Sequence, residues 1–465
     1  MSFDDSGFEN PKHKPCDINI GIKSNHPLVQ LANVLCWNKL LDLILPDLKE
    51  TTAKGQWWLG RPLHLRVHLA AYLLQQLFNK TDRQIEYDIK DNAAYQVFCG
   101  ITVVKKWHCP DHTKIEEFRS RLKPDTQKEL ANTIAAYAVN LGFADCRDVD
   151  VDSTIQEANM AYPMDSSLLC KLGSMATKVA GYMNKTMSVF DKNPMKVDMK
   201  SIRTYARRYF FCSDKDKKKI HFKALYERVA DEVSLVASNA QCLAKNITEK
   251  MSWNMGRVFT QFRDKSEKYL KDVKHFIDNG KMVPNKILSF HLNQVKCFSK
   301  DKPGKKYHFG RMFQLGRIKG NFLFAGKGCN ASMPDKKSIE LMFNEHQKTF
   351  DNESVHSFAT DKGYFSKANE KFLDNNGVED IAIQRPHNIK KPAIKSLTKE
   401  KEQLLSNRRS GIEPLIGHAK HGGQLGRSRM KSDETIEASG FTAILGFNLR
   451  QLIRYQTGKA IFNST

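Results

Sequence analysis

No C-x-x-C pair occurs among the ten cysteines, no internal repeat is present, and no long hydrophobic run interrupts the 465 residues. Without paired cysteine spacing there is no disulfide framework or zinc ribbon to build on. The thiols therefore read as reduced and mostly buried. The fifteen histidines show no ligand spacing either. His108-Cys109-Pro110-Asp111-His112 holds possible zinc ligands, but no second cluster completes a four-coordinate set, and a Pro-containing turn accounts for it. The longest apolar run, around Leu69–Leu74, is far too short to cross a bilayer. The stretch after Met1 is polar and carries Asp4, Asp5 and Glu9, which is no signal peptide pattern. The expectation is a cytoplasmic protein with no membrane partner. Acid is also in short supply: 74 Lys plus Arg stand against 51 Asp plus Glu, a net charge of +23. An excess of that size points to a polyanionic partner.

What is present is mostly helical periodicity. Residues 1–24 read as a loose polar tail, and 25–145 as an all-α domain. Leu63–Phe78 is apolar all round and should be buried. It ends at Asn79, and Thr81 with Gln84 forms a capping box for the next helix. A second box, Thr113 with Glu116, opens a helix that should expose Lys114, Arg119 and Arg121. Short helices with tight turns suit a helix-turn-helix-like DNA reader, or an ordinary bundle with a basic surface.

At Asp148–Asp152 the period changes to two, with carboxylates on one face and valines on the other, as in a strand. Three acids on one face repel unless a cation lies opposite. Asp152 is the preferred functional acid, with Asp150 as its alternate. From 167 to 300 the chain reads as a basic helical insertion. Leu225, Val229, Val233, Val236, Ala240, Leu243 and Ile247 step by three or four, as do Val258, Phe262, Tyr269, Val273 and Phe276, up to a stop at Asn279-Gly280. Arg203, Arg207, Arg208 and Lys215–Lys219 make it either a phosphate-contacting surface or a solvated charge run.

Beyond it, Tyr307–Leu315 and Lys319–Ala325 read as strands around a Gly316-Arg317 turn. A helix follows over Lys336–His346, then a strand over Ser354–Thr360 delivering Asp361. Lys367–Leu373 is helical, Asp380–Gln384 a strand and Lys395–Gly422 helical, and a last helix is capped by Ser432 and runs to about Tyr455. Wound at about 100° per residue, Ser406, Arg409, Glu413 and Lys420 share one stripe, beside an apolar face of Leu405, Ile412, Ile416 and Ala419. A carboxylate between cations at the rim of a buried face suits a metal-dependent nuclease: an acid for a cation, with bases for phosphate. Separately, Asp361 could merely start a turn, and Glu413 before Pro414 could be an ordinary first-turn acid.

Five segments occur in an order that resembles the DDE transposases of bacterial insertion sequences, the IS-five-type group. They are G-R-P-L-H-L-R-V…Y-Q-V-F-C-G (Gly60–Gly100), V-D-S-T-I-Q-E-A-N-M-A-Y-P-M-D (Val151–Asp165), A-T-D-K-G-Y (Ala359–Tyr364), R-R-S-G-I-E-P-L-I-G-H-A-K (Arg408–Lys420) and L-G-R-S-R-M…G-F-N-L-R-Q-L-I-R (Leu425–Arg454). The resemblance implies an α/β ribonuclease-H-like catalytic domain over 146–166 plus 301–465, with the helical insertion after its first strand. It implies Asp152, Asp361 and Glu413 as catalytic residues and ligands of two Mg²⁺ ions, with Mn²⁺ able to substitute. Arg409 and Lys420 match the family's R-x-x-x-E and E-x-x-x-x-x-x-K spacings, so they are assigned to phosphates of the DNA end. Arg311 stands one position before the family's usual lysine, and Ser406 replaces its usual aromatic. Lys362, Arg119, Arg121, Arg207 and Arg208 complete the expected DNA contacts. The implied partners are double-stranded DNA, as terminal inverted repeats and as target, and a second copy of the chain in a homodimeric complex on the nucleoid. The implied reaction is end cleavage followed by joining of the 3′-OH to target DNA. The rival readings are a domesticated DNA-binding regulator and a stand-alone Mg²⁺-dependent nuclease.

Overall fold

The computed structural model describes residues 21–53, 65–101, 109–186, 193–245, 253–299, 306–326, 333–385 and 395–459. Before the first strand run α1 (Pro27–Val34), α2 (Trp37–Ala53), α3 (Leu65–Phe78), α4 (Asp82–Asp91), α5 (Ala93–Phe98), α6 (His112–Arg121) and α7 (Pro124–Asn140). As its all-round apolar sequence predicts, α3 is buried along Leu69–Leu74. Asn79, at φ +50°, stops it, and the Thr81–Gln84 capping box starts α4. The second expected box is different. Asp111, not Thr113, caps α6, its carboxylate accepting the Lys114 N–H at 2.9 Å. A carboxylate two residues earlier is the better acceptor for the free amides of a helix start.

The sheet runs from β1 (Asp145–Glu157) through β2 (Lys296–Ser299), β3 (Tyr307–Lys319), β4 (Phe322–Ala325), β5 (Ser357–Thr360) and β6 (Asp380–Ile383). In space the order is β2-β3-β1-β5-β6, with β4 also paired to β3. Thus β3 lies antiparallel to β1, and β5 and β6 lie parallel to it, a mixed sheet in an α/β protein. The β3–β4 turn sits at Gly320-Asn321, not at Gly316-Arg317 as the sequence suggested. Both turn residues have positive φ, +98° and +65°, as a tight hairpin between right-twisted strands requires. Gly316 has another role: a Cβ there would lie 2.1 Å from the ring of Phe324 on β4.

Between β1 and β2 the described residues of the insertion form four helices: α8 (Asp165–Thr186), α9 (Met199–Phe211), α10 (Lys215–Lys245) and α11 (Trp253–Asn279). They bury a core of their own, including Leu225, Val229, Val233, Val236, Phe262, Tyr269 and Val273. The predicted stripe on α11 is one residue off at its start, where Phe259 is buried and Val258 exposed. By contrast, the helices before β1 share one core with the sheet. Two buried asparagines tie them together: Asn132 of α7 exchanges hydrogen bonds with Ala325 of β4, and Asn448 of the last helix does so with Leu323. The remaining helices are α12 (Ile339–Thr349), α13 (Lys367–Asn375), α14 (Lys399–Ser410), α15 (Ile412–His421) and α16 (Asp433–Gln456). Ser432 caps α16 as expected.

The cysteines are less buried than predicted. Cys99 and Cys146 are buried, Cys36 and Cys297 exposed, and Cys109, Cys170 and Cys212 lie between, all as free thiols. In the His108–His112 motif, Cys109 points its thiol at the Glu86 carbonyl and His112 Nδ1 lies 2.8 Å from the Glu86 carboxylate; His108 is outside the described residues. No single helix among the described residues is long and apolar enough to cross a membrane.

Candidate active site

The site starts from the period-two pattern of β1. Val149 and Val151 face the core with no exposure, which turns Asp148, Asp150 and Asp152 to the opposite face. There the cations required by so many acids come from α14 and β3. Arg408 donates from Nε to Asp150 at 2.9 Å and from Nη1 to Ser357 Oγ at 2.6 Å, and Nη1 lies 3.1 Å from Asp148. Arg317 reaches Asp150 at 3.3 Å and the Arg408 carbonyl at 2.6 Å. Asp150 is therefore a structural acid, 2% exposed and held by two guanidiniums.

Asp152 has a different environment. β1 and β5 run parallel in register up to Val151 opposite Thr360. The next residues, Asp152 and Asp361, leave the two strands side by side, on strands spaced ~4.8 Å apart. β5 ends there while β1 continues against β3, so both acids lie at the carboxyl ends of the parallel strands, where α/β sheets commonly place ligands. Asp361 caps the short turn Lys362–Tyr364, its Oδ1 accepting the Gly363 N–H at 2.8 Å. The turn-starting reading of Asp361 is thus geometrically true, and it fixes the carboxyl group at the end of β5.

The third acid arrives on helix. The expected helix over Lys395–Gly422 is two helices, beginning at Thr398 as cap and meeting at Gly411. Pro414 has no N–H to give the Ser410 carbonyl, and a Cβ on Gly411 would lie 2.4 Å from Arg317 Nη1, so the chain is interrupted where that arginine passes. The predicted faces survive the break. Leu405, Ile412, Ile416 and Ala419 are buried, and Ser406, Arg409, Glu413 and Lys420 remain on the flank. Arg409 Nη1 lies 3.6 Å from Asp152 Oδ2 and its Nη2 lies 3.5 Å from Glu413 Oε1. One guanidinium therefore bridges two of the three acids, while its buried Nε has no hydrogen-bond partner.

Burial, foremost, pushes the Asp152 carboxyl up to about 6. The Ser153 N–H, at 2.7 Å, pulls it down, Asp361 pushes it up, Arg409 pulls it down, and Glu413 pushes it up again. Both other acids thus act on Asp152. Among the described residues, however, no three His, Cys, Asp or Glu side chains stand close enough together to hold a metal ion as placed. Glu413 is 64% exposed, and Arg409 occupies the space between it and Asp152.

Other predicted contacts divide. Lys362 is exposed beside Asp361, and Lys420 is half-buried about two turns beyond Glu413. Arg207 and Arg208 are exposed on α9 of the insertion. Arg311 is 3% exposed and paired with Glu437 at 2.6 Å, which makes it a core ion pair. Arg119 and Arg121 are not the exposed residues expected. Arg119 binds Asp82 at 2.9 Å, joining α6 to α4, and Arg121 pairs with Glu117. The packing of α6 against α4 brings Arg119 to Asp82, whereas Arg121 meets Glu117 one turn back on its own helix.

Two groups at the site were not anticipated. Arg408 sits in the matched segment but looks interchangeable with Arg409 in sequence, since helix phase alone does not say which arginine meets which acid. Asp335 is the other. Its Oδ1 accepts from Gln314 Nε2 at 2.9 Å, and Gln314 Oε1 accepts from the fully buried Tyr364 hydroxyl at 2.7 Å. Burial chiefly, and then Asp335 and Asp152, hold that hydroxyl well above its ordinary range, so it remains a donor. In sequence, Pro334-Asp335 before an amphipathic helix signals only a helix start.

A segment of 165 residues is 26% identical to "Uncharacterized protein ORF8 in nfe locus" of Rhizobium meliloti, covering 34% of this chain and 75% of that protein. No solved structure matches the chain. Residues 17–121, a span that ends with α6 and precedes all three candidate acids, match the model of a transposase domain family, DUF772.

Proposed function

We propose that this chain is a DDE transposase, which cuts DNA at the ends of its insertion sequence and joins the freed 3′-OH to target DNA. The observation that carries the reading is the register of β1 and β5, which ends in Asp152 and Asp361 side by side, with Arg409 linking Asp152 to Glu413 of α15. We read the sheet order β4-β3-β1-β5-β6, with β3 antiparallel, as ribonuclease-H-like. The insertion after the first strand is then the segment 167–300. The transposase domain match supplies the class of function independently of the acids.

The donor chemistry fits a divalent cation. Carboxylate oxygens are the ligands Mg²⁺ prefers, and Arg409, with its orphaned Nε, is a positive group already resident between Asp152 and Glu413. Asp152, Asp361 and Glu413 would hold the metal, and Asp152, on the rigid strand, would be shared. A bound pair of such ions would activate the attacking water or hydroxyl and stabilise the leaving 3′-oxygen. The chain's own residues supply the rest. With metal and DNA bound, Arg409 would leave its bridge and turn with Lys420 toward phosphates of the cleaved end. Glu413, exposed in the first turn of α15, would have to turn inward to join the other two acids. Gly363 N–H keeps Asp361 oriented, and the Tyr364–Gln314–Asp335 chain keeps the turn beside it fixed.

The test uses the purified full chain, a duplex carrying the repeats that flank its gene, and Mg²⁺ or Mn²⁺. The wild type should nick at the repeat end and join that end to a second duplex. Asp152→Asn should abolish both reactions and leave duplex binding within about twofold, because binding rests on basic residues elsewhere. Wild-type cutting by Asp152→Asn would make that carboxylate structural and end the reading.

A further inference from the structure

Phe211 is 87% exposed, the most exposed large hydrophobic residue among those described. It ends α9, an amphipathic helix whose buried face is carried by Ile202 and Ala206. At 100° per residue Phe211 lies opposite Ile202 and on one line with Lys200, Thr204 and Arg207. Arg208 is three residues before it and Arg207 four, the spacings that place side chains next to one another on a helix. Phe210 beside it is 44% exposed, and Ile220, early in α10, is 67% exposed.

The surroundings are strongly cationic. From Lys200 to Lys219 there are eight Lys or Arg against two Asp, a balance of 8 − 2 = +6. Asp214 uses its carboxylate to cap α10, accepting the N–H groups of Asp216 and Lys217 at 2.9 Å, and Asp216 is paired with Lys219 at 3.0 Å. Lys200, Arg203, Arg207, Lys215 and Lys217 form no ion pair among the described residues. Arg208 and Lys218 stack over Tyr205 and Tyr209. The α9–α10 hairpin therefore ends in an aromatic side chain held out in water, with cations on the helix before it and on the helix after it.

An apolar residue kept in water at a cationic tip marks a surface that a polyanion with an apolar interior would cover. Duplex DNA is such a partner: phosphates outside and stacked bases within reach of a wedge. Phenylalanine is among the side chains that DNA-bending proteins push between base steps, with basic residues gripping the flanking phosphates. We propose that the α9–α10 tip is a DNA-distorting wedge, in which Phe211 opens a base step while Arg207, Arg208, Lys215, Lys217 and Lys219 hold the phosphates on either side. This inference rests on the DNA-acting reading above. It adds that the helical insertion deforms the duplex rather than merely binding it.

The experiment uses the full-length protein and a short nicked duplex with 2-aminopurine beside the nick, whose fluorescence rises when the base unstacks. The wild type, and Asp152→Asn equally, should raise the signal several-fold. Phe211→Ser should abolish the rise while binding the same duplex within about threefold and with the same salt slope. Phe211→Leu should retain most of it. Replacing Lys215, Lys217 and Lys219 together by Ala should weaken binding and reduce the log–log salt slope by ~3, close to one unit for each lost phosphate contact. A wild type that binds or cuts DNA with no change in fluorescence overturns the wedge and leaves the transposase reading standing. Failure to bind any duplex overturns both. The wedge is also overturned if Phe211→Ser keeps the fluorescence rise but changes the oligomeric state or binding to anionic lipid vesicles, since the tip would then face a second copy or a membrane.

Discussion

Asp152→Asn should stabilise the metal-free protein. The carboxyl is pushed up to about 6, chiefly by burial, from an ordinary 3.8. The folded state then holds this proton more tightly than the unfolded state, so stability falls as pH rises. The contribution is complete below pH ~4, declines between ~4 and ~6, and is gone above that window. Two units at ~1.36 kcal/mol each give about 3 kcal/mol lost at neutral pH, an order-of-magnitude value. The side chain is 17% exposed, so solvent screens little of it. Asparagine keeps the size and mimics the protonated acid. In a chelator at pH 7.5 the variant should therefore exceed the wild type by about 3 kcal/mol, and by about half that at pH 5. With ~2.1 cal/mol/K of unfolding entropy per residue over 465 residues, the neutral-pH gap is a Tm rise of ~3 °C. Calorimetry or urea titration at the two pH values measures it. Adding Mn²⁺ should raise the Tm of the wild type and not that of the variant. Equal or lower stability of the variant at pH 7.5, with no pH dependence of the gap, would mean that Asp152 carries no charge strain and that its burial is fully compensated.

Arg408→Ala should cost about 3–5 kcal/mol by leaving Asp150 buried with Arg317 as its remaining cation; addition of Asp150→Asn should recover part of that loss in denaturant titrations, and no recovery would refute the pairing. Arg409→Gln should tighten Mn²⁺ binding two- to fivefold by calorimetric titration, equivalent to ~0.5–1 kcal/mol for releasing Asp152 and Glu413 from the guanidinium. Weaker metal binding in that variant would show that the arginine orients the acids instead. Lys420→Ala should weaken binding of the repeat end while shifting stability by less than about 0.5 kcal/mol. Unchanged end binding would make this part of α15 a plain solvated flank.

Local pattern was enough for much of this chain. Period-two acids placed Asp148, Asp150 and Asp152 on one strand face, because successive side chains must alternate. The step of Leu405, Ile412, Ile416 and Ala419 placed Glu413 at the rim of a buried face, and that phase outlasted the break at Gly411. Caps at Thr81 and Ser432 were legible because the hydrogen bonds that make them span only three residues. Tertiary structure decided whatever depends on residues far apart in sequence. Glycine could equally mark a turn or a close approach, and Phe324 settled that Gly316 is the second. Arg119 and Arg311 carry charge in the sequence like any surface base, yet each found a carboxylate where its helix or strand came to lie. Most telling is the pair Arg408 and Arg409. They are adjacent and chemically identical, but a turn of about 100° between them sends one to Asp150, as a structural tie, and the other to Asp152 and Glu413. Which acid is held by two guanidiniums and which shares one with Glu413 is set by how α14 sits on the sheet, and no local pattern encodes that.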